Sequence, residues 1–125
     1  MSTTIEIERE DGRVVRYRRH AHGRGYIGVG AVVDETATIG ARSYVEAGAV
    51  IGRAVEVGDD SWVEEDAVIE PLTIVGARVR IGQGAHVGNR VIIGSGAQIP
   101  AGAYVPNGTR IPADTHYREG RAFAA

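Results

Sequence analysis

A single period organises the apolar positions of this chain. Every sixth residue from Ile27 gives Ile27, Val33, Ile39, Val45, Ile51, Val57, Val63, Ile69, Val75, Ile81, Val87, Ile93, Ile99, Val105 and Ile111, all Ile or Val. Two residues before these aliphatics stand small or β-branched residues, among them Ala31, Ala37, Ser43, Ala49, Val55, Ser61, Ala67, Thr73, Val79 and Ala85. Side chains two apart share one face of a strand. Each hexad therefore predicts a short strand with one large and one small inward side chain. The residue after the aliphatic is often glycine, as at Gly28, Gly40, Gly52, Gly58, Gly76, Gly82, Gly88 and Gly94, with Asp, Glu or Pro elsewhere. That slot predicts a corner, either crowded or of positive φ. A strand and a corner every six residues close a three-sided coil in 18, so Ile27 to Ile111 predicts nearly five coils of a triangular solenoid.

An aliphatic, then Gly, Asp or Glu, two free positions, a small residue and one more: this pattern resembles the bacterial transferase hexapeptide-repeat superfamily. The match runs from about Tyr26 to Pro112. The resemblance implies an all-β chain wound as a left-handed parallel β-helix, against the usual right-handed crossover. It also implies homotrimers with near-parallel axes. Two chemistries are common on this fold: acyl transfer from acyl-CoA, and carbonic anhydrase chemistry of the γ type. Fold does not choose between them.

Both ends of a solenoid need closing. The stretch "TIEIEREDGRVVRYRR" alternates at Ile5 and Ile7, turns at Asp11-Gly12, and alternates again at Val15 and Tyr17. It predicts a β-hairpin cap. The expected organisation is a hairpin cap and linker over residues 1–25, the β-helix over 26–112 and a tail over 113–125. "RRHAHGRG" reads as a linker whose His20 and His22 lie beside arginines. Pro100, Pro106 and Pro112 stiffen the last corners. The tail is expected to pack along the outside or on a neighbouring subunit.

The residue before each aliphatic points outward, and sorting these by 18 gives three faces. Face one carries Tyr26, Tyr44, Trp62, Arg80 and Gln98. Face two carries Val32, Val50, Val68, His86 and Tyr104, and face three Thr38, Glu56, Ile74, Ile92 and Arg110. Outward slots do not require apolar residues, so Val32, Val50, Val68, Ile74 and Ile92, with His86 and Tyr104, predict a subunit interface. Tyr26, Tyr44 and Trp62 predict an aromatic ladder at a spacing of about 4.8 Å, with Arg80 covering Trp62. The ladder is either structural or a platform for a ligand. Arg42, Asp60 and Arg78 predict a salt-bridge ladder along a corner. The acids of "EVGDDSWVEED" read as a solvated face.

Composition narrows the partners. A formal net charge of −2 supplies no basic field for nucleic acid or an anionic membrane. No apolar run approaches the roughly 18 residues that span a bilayer. With no cysteine, disulfides and thiolate metal sites are excluded. A soluble, cytoplasmic protein is expected. His86 alone among the histidines lies in the repeats. The acyltransferase resemblance implies a general base there, with Asn89 and Arg90 at the next corner to contact an acceptor or a CoA phosphate. The carbonic anhydrase pattern fails in "IGQGAHVGN": Gln83 and Gly88 stand where its histidine ligands would be. No metal ligand set is assigned, although three copies of His86 meeting on a three-fold axis would suit Zn²⁺ or Ni²⁺. The hexads run without an active-site loop. The leading expectation is therefore a homotrimeric, non-catalytic assembly or ligand-binding scaffold. Its alternative is an acyl-CoA-dependent acyltransferase using acetyl-CoA or another acyl-CoA, with His86 as base between subunits. A γ-carbonic-anhydrase-like enzyme comes last.

Overall fold

The computed structural model describes residues 4–119. They form strands, turns and bends with no helix. Fifteen short strands wind five times around a triangular prism. Face one is built from β3 (Tyr26–Gly28), β6 (Tyr44–Val45), β9 (Trp62–Val63), β12 (Arg80–Ile81) and β15 (Gln98–Ile99). Face two holds β4 (Val32–Val33), β7 (Val50–Ile51), β10 (Val68–Ile69), β13 (His86–Val87) and β16 (Tyr104–Val105). Face three holds β5 (Thr38–Ile39), β8 (Glu56–Val57), β11 (Ile74–Val75), β14 (Ile92–Ile93) and β17 (Arg110–Ile111). Each strand pairs in parallel with the strand one coil away, so residue i sits opposite residue i+18, as Val50 does opposite Val68. The chain is a parallel β-helix, and its three outward faces are those the hexads predict.

The prism is filled by the two inward slots. Ile27, Ile39, Ile51, Ile69, Ile81, Ile93 and Ile99 are all buried, as are Ala37, Ala49, Ala67, Ala85 and Ala97. Burying each large aliphatic contributes about 1.5–3 kcal/mol. Where the small slot is polar, its hydroxyl is used. Ser43 Oγ donates to the Gly58 carbonyl at 2.6 Å, and Thr73 Oγ1 donates to the Gly88 carbonyl at 2.7 Å. Among the described residues the interior thus leaves no buried hydroxyl unsatisfied, as burial demands.

The corners decide between the two alternatives for the post-aliphatic slot. Positive φ falls two residues beyond the post-aliphatic slot, at Gly30, Gly48, Gly84, Gly96, Gly102 and Gly108. The same slot holds Arg42, Ala54, Asp60, Asp66, Leu72, Arg78, Arg90 and Asp114, also at positive φ. Such backbone costs a side-chain-bearing residue on the order of 1 kcal/mol. The post-aliphatic glycines are needed for room. A Cβ on Gly82 would lie 2.4 Å from the Ala101 nitrogen, and one on Gly94 would lie 2.4 Å from the Ala113 nitrogen. The backbone of the next coil passes too close for any side chain.

At the N-terminal end, β1 (Thr4–Glu8) and β2 (Val14–Arg19) form the predicted hairpin. β2 pairs antiparallel with β3, so the hairpin extends the sheet of face one. The expected linker is structured. The Gly25 N–H donates to the Ile39 carbonyl at 2.9 Å, and the Ile39 N–H donates to the His22 carbonyl at 3.1 Å. This segment closes the free edge of face three. His20 is buried and its Nε2 donates to the Ala37 carbonyl at 2.7 Å. Burial holds its pKa below the ordinary histidine value, outweighing the hydrogen bond. The winding also continues past Pro112. The Gln98 N–H donates to the Thr115 carbonyl and the Tyr117 N–H donates to the Gln98 carbonyl, both at 2.9 Å. Tyr117 is buried against the last coil, and its hydroxyl donates to the Tyr104 carbonyl at 2.9 Å. The rest of the expected tail, residues 120–125, lies outside the described residues.

Candidate functional site

Three post-aliphatic slots hold a glutamate that bonds an outward side chain of the next coil. Glu46 Oε2 accepts from Trp62 Nε1 at 2.6 Å, Glu64 Oε2 accepts from Arg80 Nε at 2.7 Å, and Glu70 Oε2 contacts His86 Nε2 at 2.6 Å. The spacing is 16 each time, one full coil less two residues. Sequence reading picked out Trp62, Arg80 and His86 but missed all three partners. The signal was there: a glutamate in a slot where glycine is usual, 16 residues before an outward donor.

The Glu46 contact is the most buried, with only 2% of the residue exposed. Its Oε1 accepts from Tyr17 Oη at 2.6 Å and from Arg9 Nη2 at 2.7 Å, which brings the hairpin tip over face one. Burial first, then the bond to Glu46, pushes the Tyr17 hydroxyl up to about 12. The expected ladder is only partly regular. Tyr26 and Tyr44 stack with centroids 5.2 Å apart, and Tyr17 meets Tyr44 edge-on at 5.2 Å. Trp62 instead turns its Nε1 toward Glu46, while the Arg80 guanidinium lies 4.9 Å over its ring as expected. Between the hairpin tip and the ladder is a cleft of about 670 Å³, lined by Ile7, Arg9, Tyr17, Tyr44, Glu46 and Trp62 with acids of the turn.

On face two, His86 is half exposed and makes edge-on contact with Tyr104, 5.7 Å between centroids. Val32 and Val50 are exposed above it, and Val68 is half-buried. Ile74 and Ile92 lie exposed around the corner on face three. Among the described residues most of the expected interface side chains are thus uncovered. Asn89 and Arg90 occupy the corner after His86. The Asn89 N–H is bound by Asn107 Oδ1 at 3.0 Å, and Arg90 is exposed with positive φ. The structure does not bring Asn89 and Arg90 together with the ladder on face one.

Two other expectations are narrowed. Arg42 grips Asp60 through Nε at 2.6 Å and Nη2 at 2.9 Å, while Arg78 acts on Asp60 only electrostatically. The ladder is one ion pair. The acids of "EVGDDSWVEED" are dispersed among separate partners: Asp59 accepts from the Ala41 N–H, Asp60 pairs with Arg42, and Glu64 pairs with Arg80. Among the described residues no group of three or more His, Asp or Glu is placed to hold a metal ion.

A three-sided parallel coil with hexad corners defines the class of protein as a hexapeptide-repeat β-helix. Residues 72–107 match the family described as bacterial transferase hexapeptide (six repeats). Over that stretch the chain carries the six-residue repeat of the bacterial transferase hexapeptide family. No curated protein sequence matches it. Among solved structures it is similar to the acetyltransferase domain of PglB from Neisseria gonorrhoeae. That match has 25% identity, covers 72% of this chain and 55% of that one, and has a TM-score of 0.51. It also matches a variant of GDP-perosamine N-acetyl transferase from Caulobacter crescentus, solved with CoA and GDP-perosamine. There the identity is 24%, the coverage 72% and 50%, and the TM-score 0.44. The chain spans about half the length of these acetyltransferase structures. The first of these likenesses leans toward the acyltransferase alternative rather than the non-catalytic scaffold.

Proposed function

We propose that the protein is an acyl-CoA-dependent acyltransferase that works as a homotrimer, with His86 as general base. The observation that carries this reading is the 2.6 Å contact between His86 Nε2 and Glu70 Oε2 on an outward face. An ionised carboxylate only accepts, so in the neutral imidazole Nε2 carries the proton and Nδ1 presents its lone pair. In the proposed reaction Nδ1 takes the proton of an acceptor hydroxyl or amine as that atom attacks the thioester carbonyl. The C–S bond then breaks and the departing CoA thiolate takes the proton back. Glu70 stabilises the imidazolium between the two steps. The exposed strip of Val50, Ile74 and Ile92 supports trimerisation, which supplies the second wall His86 needs. Arg90, at the corner after His86, is the cation proposed for a CoA phosphate.

The test pairs binding with turnover. Acetyl-CoA should raise the melting midpoint by mass action, and the His86→Ala variant should keep that rise. Release of free CoA thiol in the presence of hydroxyl and amine acceptors should fall by about 10²–10⁴-fold in His86→Ala. An unchanged midpoint with every acyl-CoA tried, or full turnover in His86→Ala, overturns the reading.

A further inference from the structure

The proposed base has a neighbour that the chemistry above does not use. His86 stands in register between Val68 of the coil before it and Tyr104 of the coil after it. Glu70 holds Nε2 at 2.6 Å. That is one bond at one end of the ring, and a half-exposed imidazole can still turn about it or leave for another rotamer. The Tyr104 ring supplies the second contact, 5.7 Å away between centroids and 78° to the imidazole plane. Edge-on pairs of this kind attract beyond the area they bury. The same outward slot holds valine in the first three coils of face two, and a valine has no ring to offer.

Tyr104 lies in β16, the last strand of its sheet, where an edge ordinarily frays. Here both of its backbone groups are tied down. Its N–H donates to Glu119 Oε1, and its carbonyl accepts from the Tyr117 hydroxyl at 2.9 Å. The winding that continues past Pro112 thus clamps the residue that carries the ring. We infer that Tyr104 is a positioning residue: its ring, steadied by Glu119 and Tyr117, holds the His86 imidazole in the orientation that Glu70 binds. The inference rests on the reading of His86 as the base. It assigns the work to the ring and not to the hydroxyl, and Tyr104 acts through His86 by fixing the direction of its attack on a proton.

Two substitutions separate ring from hydroxyl. Tyr104→Phe keeps the ring and Tyr104→Leu removes it. The position is exposed, so both variants should keep the β-sheet circular dichroism. Scalar couplings in the NMR spectrum should show one χ1 rotamer for His86 in the wild-type protein and in Tyr104→Phe, and an average over rotamers in Tyr104→Leu. With acetyl-CoA and an amine or hydroxyl acceptor, kcat should fall about twofold to tenfold in Tyr104→Leu with KM unchanged, while Tyr104→Phe matches the wild type. In a His86→Ala background, Tyr104→Leu should cause no further fall. A single fixed rotamer in Tyr104→Leu, an averaged one in the wild-type protein, or a Tyr104→Phe variant as slow as Tyr104→Leu overturns the inference. A wild-type protein that releases no CoA thiol overturns instead the reading of His86 as base, and the rotamer result still decides the positioning.

Discussion

Faces one and two share a backbone but have different fates. Both stack five coil strands in parallel at the same register, over the same kind of Ile, Val and Ala interior. On face one the chain's own hairpin lies over the outward residues, and Glu46 gathers Trp62, Tyr17 and Arg9 beneath it. On face two Val32 is 63% exposed and Val50 40% exposed, and nothing among the described residues covers them. The contrast shows that the coil is indifferent to what it displays. The same contact, a glutamate reaching an outward donor 16 residues on, is buried at Glu46 and half exposed at Glu70. Burial makes the first a structural anchor. Exposure leaves the second open to a reacting molecule.

Removing the anchor should give the largest effect. Glu46→Ala leaves the Arg9 guanidinium, the Tyr17 hydroxyl and the Trp62 indole N–H without their acceptor. Leaving the buried Tyr17 hydroxyl without its acceptor costs about 1–3 kcal/mol. Urea unfolding should show that loss, and amide exchange should show the hairpin deprotected while β7, β10 and β13 keep their protection. Uniform loss on both faces would mean that the hairpin and the coils are one cooperative unit, and the contrast would dissolve.

Face two should respond in the opposite sense. Val50→Glu adds a charge at an already exposed position, so the β-sheet circular dichroism should be kept. Sedimentation should show the proposed trimer falling to single chains. A trimer that survives the substitution places the interface elsewhere.

The smallest effect is read by pH. The Tyr17 hydroxyl stays neutral in the fold to about 12, whereas in the unfolded chain it ionises near 10. The stability it contributes is complete below pH ~10 and is lost as pH rises through about 12. Tyr17→Phe should lack this fall. A wild-type alkaline profile identical to that of Tyr17→Phe would remove the titration from the account of face one.

Much of this was legible in the sequence because it repeats. The hexads fixed which side chains face inward, which share a face, and where the corners lie. The reason for the corner glycines was not legible: a crowded glycine and a left-handed glycine look alike in sequence, and only the distance from Gly82 to Ala101 tells them apart. The glutamate contacts were encoded by their spacing, but they become contacts only once the coils are in register. The ordered path of His20 to Gly25 was invisible, because a charged, glycine-rich stretch carries no sign of the strand edge it will cover.

What the sequence determined by itself is the prism: its period, its three faces and its interior. An inward slot recurs every six residues, and each coil's hydrogen bonds are made to the neighbouring coil, so the pattern sets a winding that turns the periodic aliphatics inward. Tertiary structure alone decided where the hairpin tip comes to rest, and hence which face stays open. Arg9 and Glu46 are 37 residues apart and belong to no repeat. Their pairing rests on the hairpin's own register and on the cost of burying a carboxylate without a partner. Neither can be read from periodicity.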